Sequence, residues 1–195
     1  MIVRACLISA IAGSALTAAD WSYDVRGHVG ASSPLTEVNG NSLDGKMSLA
    51  WGLDGAAHCP LNDKFGFVAL AGFFRDVHNA EEGNTDLDYT VLGANLAGCI
   101  SYKLMGPWHV EGLAHVRLGT GDLDGTSNGS SVSGDRGTSS AFGLTAGAYY
   151  TFPFKLIVGG TFGYEFWQGE SQFNGTNYDV EGDGLTFGAV AGYAF

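Results

Sequence analysis

Apolar side chains recur at every second position through most of the sequence that follows residue 20. The segment from Trp108 to Leu118 is the clearest example, because Trp, Val, Gly, Ala, Val and Leu alternate there with His, Glu, Leu, His and Arg. A period of two is typical of a β-strand with two different faces, whereas an amphipathic helix repeats every 3.6 residues. No later apolar run approaches the roughly 20 residues of a membrane-spanning helix. The sequence therefore predicts an all-β fold.

Eight alternating segments can be delimited between Trp21 and Phe195. Three links between them are short turns, at 60–63, 105–107 and 152–154, and each contains a proline. The other links are longer and rich in Gly, Ser, Asn and Asp. Short turns at one end and long loops at the other are typical of outer-membrane barrels. We therefore predict an eight-stranded antiparallel up-and-down transmembrane β-barrel with both termini at the short-turn, periplasmic end.

The second, third and fourth of the eight segments are less regular than the others. The second covers about 43–59 and places Lys46 on the same face as Asp54. The third covers about 64–75 and is apolar on both faces, so the pattern does not say which of its side chains point inward.

The composition agrees with a barrel that shows an apolar belt to lipid. Charged residues make up 15% of the chain, below the roughly 25% of an average soluble domain. The formal net charge is −11 and no basic patch is present, which excludes nucleic acid as an expected partner. The sequence offers no zinc-ligand spacing, and we expect neither a metal nor a cofactor.

The first 19 residues have the pattern of a secretory signal peptide. Arg4 provides a positive start, an apolar stretch covers 7–15, and small residues lead to Ala19. The apolar stretch is too short to span a membrane. We predict a signal peptide at 1–19, a barrel at 20–195, and a location in the bacterial outer membrane after cleavage near Ala19.

Charged and histidine side chains alternate with the apolar positions and are predicted to line the barrel interior. Buried charges must be paired or solvated, and both signs are present in this set. One interpretation is a structural plug of ion pairs, and the other is a narrow gated pore or a proton-responsive element that uses the histidines. The predicted interior network is Asp24, Arg26, His28, Lys46, Asp54, His109, Glu111, His115, Arg117 and Glu165.

Aromatic residues cluster next to the short turns on the predicted outward faces. A general preference of aromatics for strands does not predict this clustering at one level, whereas a membrane interface does. The predicted girdle consists of Trp21, Tyr23, Tyr102, Trp108, Tyr150, Phe152, Tyr193 and Phe195.

The signal peptide, the eight alternating segments and the last segment, GLTFGAVAGYAF, resemble the small outer-membrane barrels that include the OmpA membrane domain, OmpX and the opacity-type porins. The resemblance covers the chain after residue 19. It implies contact with outer-membrane lipid and lipopolysaccharide, and insertion by the barrel-assembly machinery through a terminal strand that ends in Phe195.

The acidic links favour a surface role, with a possible ligand outside the cell. Carboxylates are frequent there, and the longest link, 122–139, carries three of them. We expect a structural or surface barrel, with a narrow small-solute channel as a possible addition, and no enzyme activity. The alternatives are a lipid A-modifying enzyme and a secreted lipocalin-like binding barrel. A disulfide between Cys59 and Cys99 is left open, because the alternation points Cys59 outward and Cys99 inward.

Overall fold

The computed structural model describes residues 21–173 and 176–195, so the predicted signal peptide lies outside the described residues. The described strands are β1 (Ser22–Ser32), β2 (Glu37–Val38), β3 (Asn41–Ser42), β4 (Gly45–Lys46), β5 (Ser48–Pro60), β6 (Phe65–Glu82), β7 (Thr85–Lys103), β8 (Trp108–Ser127), β9 (Ser130–Ser133), β10 (Asp135–Thr151), β11 (Leu156–Phe173) and β12 (Thr176–Ala194). Over these same residues, no helix is long and apolar enough to cross a membrane.

The long strands form a closed antiparallel barrel. Their order around the wall is β1, β5, β6, β7, β8, β10, β11 and β12. β1 then pairs with β12 from Asp24↔Ala194 to Ala31↔Phe187, so the sheet has no open edge at this level. The predicted eight-stranded up-and-down barrel is thereby confirmed. We call the end with the three short turns the periplasmic end and the other the extracellular end.

The outer face of the wall is apolar and the inner face is polar, which is the arrangement that a membrane-spanning barrel requires. On the outside, Phe73 and Leu144 are 71% and 60% exposed, while inside Arg26 and Glu165 are 2% and 1% exposed. A lipocalin-like binder would have the reverse arrangement, with a polar exterior and an apolar cavity. The secreted soluble alternative is therefore wrong.

Aromatic side chains ring the periplasmic end of the outer wall. Trp108 packs edge-on against Tyr150 with ring centroids 5.1 Å apart, and Tyr150 continues to Phe152 at 4.7 Å. At the end of β12, Tyr193 and Phe195 are both exposed and their rings lie 5.9 Å apart. Tyr23 and Tyr102 also lie at this end, and Trp21 directly precedes β1.

The long polar links predicted at the extracellular end are mostly β-structure, which corrects the sequence interpretation. β6 and β7 pair up to Glu82↔Thr85, leaving a two-residue turn. The link predicted at 122–139 is the end of β8, the short strand β9 and the start of β10. Because a spanning strand needs only about 9–11 residues, strands of 17 to 20 residues extend well above a bilayer. The extracellular surface is therefore a hydrogen-bonded extension of the barrel.

Lys46 does not line the interior, contrary to the prediction. It lies in β4, which pairs with the outer part of β6 at Lys46↔Asn79, and its side chain is 61% exposed and ion-paired with Glu81. The chain leaves the regular alternation at Met47, between β4 and β5, so the predicted second strand is two separate elements. The face assigned to Lys46 by counting from Asp54 is wrong for this reason.

The third predicted strand, β6, can now be oriented. Val68, Leu70, Phe74, Asp76 and His78 are all buried and face the interior. Asp76 follows the predicted third segment, 64–75, and the structure places it in β6 with its side chain inside the barrel.

Cys59 and Cys99 are free thiols, and each is 3% exposed. In register, Cys59 pairs with Phe67 and Cys99 pairs with the next residue of β6, Val68, so the two thiols lie on opposite faces of the wall, as expected. His58, the neighbour of Cys59, points into the lumen, where it contacts Asp24.

Candidate functional site in the barrel lumen

A layer of ion pairs crosses the periplasmic half of the lumen. Arg26 on β1 donates to both carboxylate oxygens of Glu111 on β8, at 2.6 and 2.9 Å. It also donates to both oxygens of Asp24, at 2.9 and 3.0 Å. β1 and β8 lie opposite each other in the ring of long strands, so the Arg26–Glu111 bridge spans the lumen. Bidentate guanidinium–carboxylate bonds are among the strongest that proteins form.

Two histidines flank this layer on its periplasmic side. His58 Nε2 lies 2.6 Å from an oxygen of Asp24, and His109 Nε2 lies 3.4 Å from an oxygen of Glu111. The ring of Tyr149 packs beside His109 and below the Arg26 guanidinium, whose central carbon is 4.8 Å from the ring centroid. Sequence reasoning missed His58, because the small residues 55–57 that precede it hide the alternation.

A second polar group lies near the middle of the lumen. Asp54 accepts a hydrogen bond from the Asn95 amide at 3.2 Å and lies 3.2 Å from His28 Nδ1. The Asn95 NH₂ must face Asp54, because an ionised carboxylate can only accept. The Asn95 oxygen then points away, and it has no protein partner within the described residues.

A third polar group lies above the second. Arg117 contacts Asp76 at 2.5 Å and Glu165 at 3.2 Å, and Glu165 also contacts His115 Nε2 at 2.8 Å. The Arg117 guanidinium packs over the ring of Phe74 at 5.0 Å. The structure therefore joins Glu165, His115 and Arg117, which the sequence singled out, with Asp76, which it did not.

A small cavity with mixed polar and apolar walls separates the lower and upper ion-pair groups. Its volume is about 110 Å³, and it is lined by Arg26, His28, Asn95, Arg117 and three threonine side chains from β10, β11 and β12. At roughly 30 Å³ per water, the space suits about three or four water molecules. Buried atoms without a protein partner among its lining residues are His28 Nε2, the Asn95 oxygen and Arg117 Nε.

An aromatic cap closes the lumen above the polar groups. Trp167 on β11 stacks on His78 of β6 at 3.9 Å and on Tyr89 of β7 at 5.5 Å. β6 and β11 are opposite strands, so the stack crosses the barrel. Apolar side chains complete the cap: Leu35, Phe74, Ala80, Leu87, Val91, Leu123 and Val180.

The segment that follows β1 folds into the extracellular mouth and holds this cap in place. Ser33 and Leu35 are fully buried. His78 Nδ1 donates to the Ser33 carbonyl at 2.7 Å, since a carbonyl can only accept. The Leu35 amide donates to Asn79 of β6, and the Thr36 amide donates to Glu181 of β12. The segment therefore bridges two strands of the wall and carries Leu35 into the cap.

Glycines opposite the large interior side chains make this packing possible. A Cβ at Gly143 would lie 2.5 Å from the His115 ring, and a Cβ at Gly121 would lie 2.2 Å from the Tyr89 ring. The interior of an eight-stranded barrel is only about wide enough to be filled by side chains. The glycines let each large side chain lie against the backbone of a neighbouring strand.

We expect the substitution Gly143→Val to lower the free energy of unfolding by about 1–3 kcal/mol, the cost of overpacking. The added side chain must displace His115, which is held by Glu165. Urea unfolding in lipid vesicles measures the change. Gly112→Val is the matched control, because a Cβ there meets nothing within 4 Å. Equal stabilities for the two variants would contradict this account of the interior.

Comparisons with known proteins find structural likeness at low sequence identity. No family model matches the chain, and no curated protein matches it in sequence. Solved structures do match. The first is Ail, the attachment invasion locus protein of Yersinia pestis, with 20% identity, a TM-score of 0.43, and coverage of 91% of this chain and 99% of that chain. These solved structures are small outer-membrane β-barrels.

Two further matches belong to the same class of structure. OprG of Pseudomonas aeruginosa is 15% identical, with a TM-score of 0.47 and coverage of 91% of this chain and 97% of that chain. Neisserial surface protein A is 16% identical, with a TM-score of 0.40 and coverage of 90% and 96%.

Proposed function

We propose that this protein is an integral barrel of the bacterial outer membrane whose lumen is closed and whose role lies on its extracellular surface. The observation that carries the proposal is the double obstruction of the lumen. The Arg26–Glu111 bridge spans it in the periplasmic half, and the His78–Trp167 stack spans it at the extracellular end. A solute would have to break both layers to pass.

The extracellular extension offers a hydrogen-bonded and strongly acidic surface. Carboxylates face each other directly across neighbouring strands, in the pairs Glu81↔Asp86, Asp88↔Asp124, Glu170↔Asp179 and Glu37↔Glu181. Like charges directly opposite each other destabilise a sheet. These carboxylate pairs recur at the extracellular end in spite of their cost in stability. Their recurrence supports selection for a negative surface charge at this end. Such a surface suits contact with cations or with a basic partner outside the cell.

The placement of the histidines supports a role without catalysis. A deacylase acting on lipid A would need a histidine near a serine on the lipid-facing wall, with a carboxylate to orient it. His28, His58, His78, His109 and His115 all contact groups inside the barrel. The lipid-facing wall of the described residues therefore offers no histidine for this chemistry. Mass spectrometry of lipid A from expressing cells should show no modified species.

A narrow channel is the second candidate, and the cavity of about 110 Å³ inside the lumen, with its unpartnered polar atoms, favours it. The two candidates differ in electrical conductance. We expect the purified protein to give no discrete conductance steps in planar lipid bilayers, because both obstructing layers are held by well-packed contacts. Regular steps in the unmodified protein would contradict the closed lumen and support the channel.

Cell fractionation tests the proposed location independently. We expect the protein in the outer-membrane fraction, with faster gel migration when unheated than when boiled. Surface biotinylation of intact cells through a cysteine placed at Gly83 should label the turn between β6 and β7. Recovery in the soluble fraction would contradict the location.

A further inference from the structure

The lumen encloses more negative than positive charge. A buried charge must be compensated by an opposite charge, or its group must change its protonation state. The permanent cations of the lumen are the guanidinium groups of Arg26 and Arg117. The five luminal carboxylates are Asp24, Asp54, Asp76, Glu111 and Glu165. Three negative charges in this part of the described chain therefore have no permanent cation to compensate them.

The excess is spread evenly over the three polar groups of the lumen, which we call lower, middle and upper, counted from the periplasmic end. Arg26 serves both carboxylates of the lower group, and Arg117 serves both carboxylates of the upper group. Within the described residues, the contacts of Asp54 in the middle group are the amide of Asn95 and the ring of His28. Each group therefore lacks one positive charge.

Each group also contains a histidine that contacts one of its carboxylates. Histidine is the side chain whose charge ordinarily changes near neutral pH. The three contacts are His109–Glu111 at 3.4 Å in the lower group, His28–Asp54 at 3.2 Å in the middle group and His115–Glu165 at 2.8 Å in the upper group. One protonated histidine in each group would make that group neutral.

The other two luminal histidines are less suited to carry this charge. His58 Nε2 lies 2.6 Å from Asp24, but it also lies 3.3 Å from Arg26, whose charge opposes a second cation there. The ring of His78 stacks on Trp167 at 3.9 Å inside the apolar cap. The three histidines named first are therefore the candidate proton carriers.

His109 faces titratable side chains from three strands. Glu111 lies on its own strand, Lys103 is opposite it on β7, and the ring of Tyr149 packs beside it from β10. Lys103 is exposed at the periplasmic mouth, where water and salt screen its charge. Glu111 is 2% exposed, so its charge is screened much less. The buried carboxylate therefore favours a charged ring at His109.

His115 and His28 face the luminal arginines as well as carboxylates. Arg117 lies two residues from His115 on β8, and both arginines line the cavity beside His28. Each guanidinium is shared by two carboxylates, which more than compensate its charge. The net charge that His115 and His28 meet in their own groups is therefore negative.

We propose that one protonated histidine completes each of the three polar groups, so that protons hold the lumen closed and a rise in pH loosens it. The proposal rests on the closed lumen proposed above. Loss of the three protons would leave one uncompensated carboxylate in each group. Water must then enter the lumen to solvate these carboxylates, at the expense of the contacts that cross it.

Urea unfolding of the full chain in lipid vesicles, repeated from about pH 6.5 to about pH 8.5, tests the proposal. Carboxylates and lysines ordinarily titrate outside this range. A folded state that binds more protons than the unfolded state loses stability as the pH rises, by up to about tenfold in the unfolding equilibrium constant per proton and per pH unit. We expect this constant to rise about a hundredfold or more over the range. An unchanged constant would overturn the proposal.

Asp54→Asn separates protonation from packing. Asparagine has nearly the same shape and needs no compensating proton, so the rise in the unfolding constant should shrink by about tenfold. A purely structural role of Asp54 predicts the same loss of stability at every pH and would overturn the assignment of His28. Thr161→Ser is the matched control, because Thr161 lines the same cavity and carries no charge. This variant should keep the full pH dependence.

Nitrogen NMR of isotope-labelled histidine in nanodiscs reads the charge of the rings directly. At about pH 7.5 a solvent-exposed histidine is mostly neutral, whereas we expect three of the five luminal rings to be charged. Neutral rings in a protein that does not conduct would overturn the proton assignment and leave the closed lumen standing. Charged rings in a protein that conducts at this pH would overturn the closed lumen instead.

Discussion

Replacing Arg26 by methionine is expected to lower the free energy of unfolding by about 3–5 kcal/mol, the cost of removing one partner of a buried ion pair. Met has a similar volume, so the effect isolates the charge. Asp24 and Glu111 are 4% and 2% exposed, and both would be left in the lumen without the guanidinium. Urea unfolding in lipid vesicles, followed by tryptophan fluorescence, measures the change.

The control for this prediction removes all three charges together. In the triple variant Asp24→Asn, Arg26→Met and Glu111→Gln, no unpaired carboxylate remains in the layer. We expect it to recover most of the stability, since neutral replacement of a buried ion pair is often close to neutral in free energy. If the triple variant were as unstable as Arg26→Met alone, packing would be the cause and the electrostatic account would be wrong.

Replacing Trp167 by alanine should cost about 3–5 kcal/mol of unfolding free energy, because it empties the centre of the aromatic cap. Trp167 is 4% exposed and stacks on both His78 and Tyr89. The same urea unfolding experiment gives the change.

Trp167→Phe is the informative comparison for the cap. The indole Nε1 of Trp167 is buried and has no hydrogen-bond partner among the described residues, so its removal leaves no broken bond. We expect a cost below about 1.5 kcal/mol, as for other substitutions that largely keep core packing. If Trp167→Ala and Trp167→Phe lowered the free energy of unfolding by similar amounts, the stacked arrangement would not be what stabilises the extracellular end.

Much of the barrel could be predicted because the alternation in most long strands is strict. Along β1 and β8, successive residues point to opposite faces, so the lumen-facing positions of Arg26 and Glu111 follow from counting. The partnership of these two side chains does not follow, because it depends on the stagger of strands that are opposite each other in the barrel. The alternation predicts which face a residue lies on. Its partner across the lumen is fixed only when the sheet closes into a barrel.

The errors have separate physical causes. Lys46 was assigned to the wrong face because the alternation is interrupted at Met47, between β4 and β5. Asp76 and His78 were missed because β6 is apolar on both faces over its first half, which hides the alternation. The length of the extracellular loops was overestimated. The sequence does contain Asn39-Gly40 and Asn128-Gly129, which have positive φ angles and are typical of two-residue hairpin turns.

The continuation of paired strands beyond the membrane has a practical consequence for labelling the cell surface. A tag inserted between Gly83 and Asn84 only lengthens a turn, so the flanking ladders keep their hydrogen bonds. The same tag at Asp124 would disturb β7, β8 and β9 at once, because Asp124 pairs with both Asp88 and Ser133. Tolerance to insertion, and access for proteases, should therefore be confined to the hairpin tips.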